Sequence, residues 1–187
     1  GLKKRLRAVG GSVDGTNYES RLMANATASG GGALSMAQLD LAISLVENPT
    51  HIIMPKALKT RLPAAARDQG TTGFVSQDKD EMGKTITRYG ELPILTGYEI
   101  TPLGEFLPFN EVAFGGGSAV TSSIYIVSFR EGGLCGLEVE PMEVTDYGLT
   151  EDGVYYRTNV EHDNGMCLEG AYAAMRLSSI TNAPIVK

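Results

Sequence analysis

The chain has 187 residues, enough for one large domain or two small ones, and a globule of that size buries roughly 70% of its unfolded surface without disulfide staples. Its net charge of −6 argues against phosphate-driven nucleic-acid binding by the bulk surface, and no apolar run approaches the ~20 residues that span a bilayer. Twenty-three glycines and eight prolines, with 42% apolar and 20% charged residues, indicate a loop-rich chain that contains sheet and is not a helix bundle.

The opening, Gly1-Leu2-Lys3-Lys4-Arg5-Leu6-Arg7-Ala8, holds four of the sixteen basic residues and no apolar signal-peptide core. It lacks an initiator methionine, which points to cleavage, truncation or an upstream portion. Residues 10–33, rich in Gly, Ser, Asn and Ala, read as an irregular connection. Ser35-Met36-Ala37-Gln38 has the capping-box form, and Met36, Leu39, Ala42, Ile43 and Val46 follow at helical spacing until Asn48-Pro49. His51-Ile52-Ile53-Met54 predicts a buried strand. Pro55 suits the first turn of a second helix striped by Ala57, Leu58, Leu62, Ala65 and Ala66, which Pro63 is expected to break or kink.

Residues 68–84 are polar and punctuated by glycine, a long loop or a partly ordered excursion. Residues 84–88 alternate, residues 89–93 turn, and Ile94-Leu95 resume as strand. After a loop around 101–122, Ser123 to Phe129 is the strongest strand signal. Gly132-Gly133 marks a turn, residues 136–144 and 155–160 are extended, 166–168 continue the strand character, and an alanine-rich segment at 171–177 closes the chain. The expected class is α+β, a mixed sheet with flanking helices.

Several chemistries fail on spacing. Gly83-Lys84-Thr85 has Asp78 where a phosphate-binding loop needs its first glycine. Asp78, Asp80 and Gly83 suggest a calcium loop, but Met82 and Tyr89 occupy positions that must supply oxygen. Gly30-Gly31-Gly32 and Gly115-Gly116-Gly117 read as flexible loops outside any dinucleotide-binding context. Cys135 and Cys167 lack CxxC spacing and are expected to be reduced, in a cytoplasmic compartment. His162 and Cys167 are the one pair that could serve nucleophilic catalysis in a small enzyme or ligand-binding domain. Their odd separation puts them on opposite faces of a strand, unless a turn or bulge at 163–165 changes the parity. No catalytic residue, cofactor or metal is therefore assigned.

Several segments in order resemble the major capsid protein of tailed double-stranded-DNA bacteriophages. They are Gly1-Leu2-Lys3-Lys4-Arg5-Leu6; Gly32-Ala33-Leu34-Ser35 leading into Leu39-Asp40; Pro49 to Met54; Thr85 to Gly90 with Leu92-Pro93-Ile94; Ser123 to Phe129 with Gly132-Gly133; and Tyr156 to Glu161 with Ala173-Ala174-Met175-Arg176-Leu177. His162-Asp163-Asn164-Gly165 and Glu169-Gly170-Ala171 depart from the pattern.

The resemblance implies a chain without the N-terminal arm, extended hairpin loop and spine helix of that family. It implies a peripheral-domain segment or linker at 1–20, an axial domain at 21–145, and returning peripheral strands at 146–187. It further implies hexamers and pentamers of a DNA-filled icosahedral head, assembled in the cytoplasm of a bacterial host. The partners would be copies of the chain itself, with scaffolding or portal proteins possible and DNA touched only non-specifically; no membrane is involved. Lys3, Lys4, Arg5, Arg157 and Glu161 become candidate intersubunit contacts. The 69–84 loop, with Gly70, Gly73, Phe74, Asp78, Asp80 and Gly83, becomes the candidate loop at the capsomer axis.

Overall fold

Thr121 to Val127 is buried on both of its faces, and the sheet is assembled around it. The computed structural model describes residues 2–6, 12–13, 16–17, 22–68, 75–79, 82–83, 85–97 and 104–186. In chain order the elements are α1 (Leu2–Arg5), β1 (Ser12–Val13), β2 (Thr16–Asn17), β3 (Leu22–Ala24), α2 (Met36–Ser44), β4 (His51–Ile53), α3 (Lys56–Asp68), β5 (Val75–Lys79), β6 (Thr85–Tyr89), β7 (Leu92–Leu95), β8 (Glu111–Val112), β9 (Ala119–Val127), β10 (Leu134–Leu149), β11 (Tyr156–Leu168) and β12 (Ala174–Thr181). An eight-stranded mixed sheet runs β3-β12-β9-β4-β7-β6-β5, with β8 joining β9. The β12–β3 and β4–β7 pairs are parallel and the others antiparallel. The class is α+β, as expected from the sequence.

Alternation along β9 explains its unbroken apolar run. Ile124 and Ile126 face α2 and α3, where they join Leu39, Ala42, Leu58, Leu62 and Leu177 in the main core. Tyr125 and Val127 face the other way, and Leu2 and Leu6 of the N-terminal segment cover them together with Leu134 and Ala174. The basic opening is thus anchored to the sheet by its two leucines.

At the head of α2 the Ser35 hydroxyl accepts from the Gln38 N–H at 3.5 Å, as the capping motif predicts. The Ser35 N–H donates to Asn25 Oδ1 at 2.9 Å, and the Asn25 amide donates to the Ala33 carbonyl at 2.7 Å. Asn25 therefore pins the glycine-rich approach to the helix.

Five expectations need correction. The helix α3 continues through Pro63, because the buried stripe of Leu58, Leu62, Ala65 and Ala66 holds both halves against the core. The 68–84 stretch contains β5, which pairs with β6 from Val75↔Tyr89 to Lys79↔Thr85, so the presumed loop carries a hairpin arm. Residues 10–33 include β3, recruited by the edge of β12 at 154 residues' remove in sequence. The 101–122 stretch contains β8 and the start of β9. The alanine-rich segment at 171–177 leads into β12, which lies between β3 and β9 in the sheet.

The two glycine triplets also read differently in space: they close on each other. The Gly30 N–H donates to the Gly116 carbonyl at 2.8 Å, and a Cβ on Gly115 would overlap the Thr27 carbonyl oxygen. Gly31, at φ +75°, leaves 2.6 Å between a would-be Cβ and the Ser179 carbonyl. These glycines permit close backbone packing, which a single-sequence pattern cannot distinguish from flexibility.

Candidate assembly surface

β10 and β11 form a ribbon that pairs only with itself among the described strands. Two lone strands are marginal in water, so the ribbon needs support beyond its own ladder. The boundary expected between residues 145 and 146 falls inside β10, whose ladder to β11 runs across it.

The register sorts the ribbon's side chains into two faces. On one face lie the opposed pairs Leu149–Tyr156, Val144–Val160 and Leu134–Leu168, with Met166. Leu134 lies in the second core cluster and Leu168 packs against it, so the root of this face joins the sheet interior, while Glu138, Asn164 and His162 come next along it before Val144 and Val160. Tyr156, Leu149, Val144 and Val160 are 70%, 62%, 61% and 57% exposed, two apolar cross-strand pairs with the polar pair Asp146–Thr158 between them, and exposed apolar pairs of this kind suit an interaction surface.

The other face opposes Glu143 to Glu161 and Glu140 to Asp163. Residues 134–168 hold eight carboxylates and one arginine, a net −7 against −6 for the whole chain, so the remainder sums to +1. Like charges directly across a ladder weaken a free ribbon. An acidic rim beside exposed apolar pairs suits a partner that brings both apolar surface and positive charge.

Three register shifts shape the ribbon, between Glu138 and Glu140, Glu140 and Glu143, and Asp146 and Leu149. Each places an extra residue on β10, which accounts for its 16 residues against 13 in β11. Bulges bend and twist a strand and blunt its edge against indiscriminate pairing. The turn or bulge expected at 163–165 is therefore displaced to the opposite strand, and β11 runs straight through. Its parity holds, so His162 and Cys167 lie on opposite faces, about 16 Å apart along the strand. His162 Nε2 lies 3.1 Å from Glu138 Oε1, and its Nδ1 lies 3.3 Å from Asn164 Nδ2.

The candidate contact residues divide. Lys3 Nζ reaches Glu111 Oε1 at 2.7 Å, so its charge is committed within the chain. The side chains of Lys4 and Arg5 lie outside the described residues. Arg157 stacks over the Tyr147 ring at 5.5 Å, and Glu161 accepts from Asn159 Nδ2 at 2.6 Å, both on the exposed ribbon. Gly70, Gly73, Phe74 and Asp80 also lie outside the described residues. Asp78 sits in β5 opposite Ile86, 3.7 Å from Arg88, and Gly83 takes φ +76° in the turn between β5 and β6.

A buried polar cluster went unnoticed in the sequence. Arg176 of β12 donates to Glu111 Oε2 at 2.8 Å and to Ser123 Oγ at 3.0 Å, and the Ser123 hydroxyl donates to Glu111 at 2.5 Å. Burial raises the Glu111 pKa, but the bonds from Lys3 and Ser123 and the Arg176 charge outweigh it and leave the carboxyl below its ordinary value. Burial likewise raises the Tyr125 pKa. The cluster locks α1, β8, β9 and β12 together at the foot of the ribbon. Its signal in sequence was one arginine inside an apolar strand.

At the root of the ribbon, Cys135 and Cys167 are directly opposed and free, and Glu169 follows one residue beyond β11. Desolvation, the Glu169 carboxylate and the Cys167 thiol raise the Cys135 pKa.

Comparison of the sequence with family models and with curated proteins gives no match. Comparison of the fold does. The chain is similar to a subunit of the holo-SrpI encapsulin complex from Synechococcus elongatus PCC 7942, with a TM-score of 0.65 at 12% identity. The likeness covers 89% of this chain and 55% of that one, so the chain spans little more than half of the neighbour's length. At that identity the likeness speaks for architecture alone, and by architecture this is a chain of capsid-like fold.

Proposed function

We propose that the chain is the structural subunit of a closed protein shell, and more narrowly the major capsid protein of a tailed-bacteriophage head. The observation that carries the shell reading is the combination of a capsid-like fold with a ribbon whose outer apolar pairs have no cover among the described residues. Copies of the subunit bury those pairs on one another, and the acidic rim with Arg157 and Glu161 sets the register of the contact. Many modest interfaces of this kind close a shell, in hexamers and pentamers, without any reactive centre. The phage reading rests on the ordered sequence resemblance. It brings with it packaged DNA touched non-specifically, scaffolding or portal partners, and assembly in a bacterial host's cytoplasm. On this reading the chain is not an enzyme.

Light scattering and electron microscopy of the full-length protein test the reading. Large closed particles are expected. Small species alone, at every salt concentration, refute the shell. The encapsulin likeness supports a second, narrower alternative, a shell that encloses something other than a genome. Nuclease-protected DNA within particles recovered from producing cells separates the two.

A further inference from the structure

We propose that Cys135, Cys167 and Glu169 form a binding site for a thiophilic dication, with zinc the natural member of the class. Cys135 and Cys167 are cross-strand partners on one face of the ribbon. The Glu169 N–H donates to the Gly133 carbonyl at 2.9 Å, which folds the residue back over the pair and brings its carboxylate to 3.8 Å from Cys135 Sγ. One donor atom from each of the three residues lies within 4.8 Å of the other two. A tetrahedral zinc ion with ~2.3 Å bonds to sulfur holds its two thiolates ~3.8 Å apart, so sulfurs already within 4.8 Å of each other close by at most about 1 Å. Side chains at the partly exposed root of a hairpin can make that movement.

The donor set selects the class. Two thiolates favour a soft or borderline ion over magnesium or calcium, and the carboxylate completes a three-ligand set with a fourth position for water. Glu140, Glu143, Glu161 and Asp163 line the same face further out and raise the local cation concentration. A directly opposed cysteine pair also suits a disulfide, but a disulfide has no use for the carboxylate beside it. On binding, each thiol gives its proton to solvent and forms one bond to the ion, with no change in oxidation state. The ion then clamps the start of β10 to the residues after β11, where Leu134 and Leu168 enter the core. The site holds whether or not the shell reading does.

The experiment titrates the reduced full-length protein with cadmium, whose thiolate charge-transfer absorption reports sulfur ligation, and then displaces it with zinc. Saturation at one ion per chain is expected, with release of about two protons per ion. Cys135→Ser and Cys167→Ser should each lose the absorption, and Glu169→Gln should keep it with affinity reduced about tenfold or more. In the unmodified protein, zinc should slow alkylation of both cysteines, a measurement that needs no variant. No absorption from the reduced protein, absorption that survives either serine variant, or unchanged affinity in Glu169→Gln overturns the site. So does a protein whose thiols form a disulfide and, once reduced, take up no metal.

Discussion

Glu111 and Arg176 are 10% and 12% exposed at their side chains and pair at 2.8 Å, and Lys3 also reaches Glu111 from the surface. Replacing Glu111 by Gln keeps the volume and an acceptor for Ser123 but leaves the Arg176 guanidinium short of its counter-charge. Breaking a buried pair costs about 3–5 kcal/mol, and the low end applies because Ser123 still accepts from Arg176 and Lys3, 58% exposed, can swing into water. At ~2–4 °C per kcal/mol for a chain of this length, ~3 kcal/mol lowers Tm by about 6–12 °C. Arg176→Met should cost a similar amount, and the double variant much less than the sum, since both charges then leave together.

The pH dependence carries a sign. The folded Glu111 carboxyl lies below its ordinary value of 4.5, so its stabilisation is complete above about pH 4.5 and fades as the pH falls through its folded value. The gap between wild type and Glu111→Gln should therefore narrow in acid. Calorimetry and urea titration of the three variants, at neutral pH and in acid, make the measurement. Single-variant costs that add to within about 0.5 kcal/mol, or a gap that widens below pH 4.5, refute the coupling.

Three other variants probe separate parts of the fold. Val144→Lys with Val160→Lys puts two charges on one exposed apolar pair, and particle formation should fail while Tm moves by under ~2 °C, as read by light scattering beside calorimetry. Gly31→Ala forces a Cβ to 2.6 Å from the Ser179 carbonyl at φ +75°, and a loss of about 2–3 kcal/mol is expected in urea unfolding. Pro63→Ala restores an N–H inside α3, and the ~3 kcal/mol helix penalty, offset by the looser unfolded chain, should leave a net gain of about 2 kcal/mol, read as a higher Tm.

Local physics determined much of this molecule from sequence alone. The cap at Ser35, the stripe from Met36 to Val46, the apolar run at 123–127 and the turn at Gly132-Gly133 each depend on neighbours within a few residues, and each stands where the pattern puts it. The segment order that resembles a capsid protein agrees with the capsid-like fold.

What required the tertiary structure was every partner chosen over a long distance. β3 is a strand because β12 offers it an edge, α3 survives Pro63 because the core holds both of its halves, and the glycine triplets meet through the Gly30–Gly116 hydrogen bond, with no room for a Cβ on Gly117 beside Gly30. Register decided the rest. It set Val144 beside Val160 on one face of the ribbon and Glu143 beside Glu161 on the other, and it brought Cys135 to Cys167 across 32 residues of chain. Periodicity tells which residues share a strand face. It cannot tell which strand lies opposite, because pairing free energy is settled by the whole sheet.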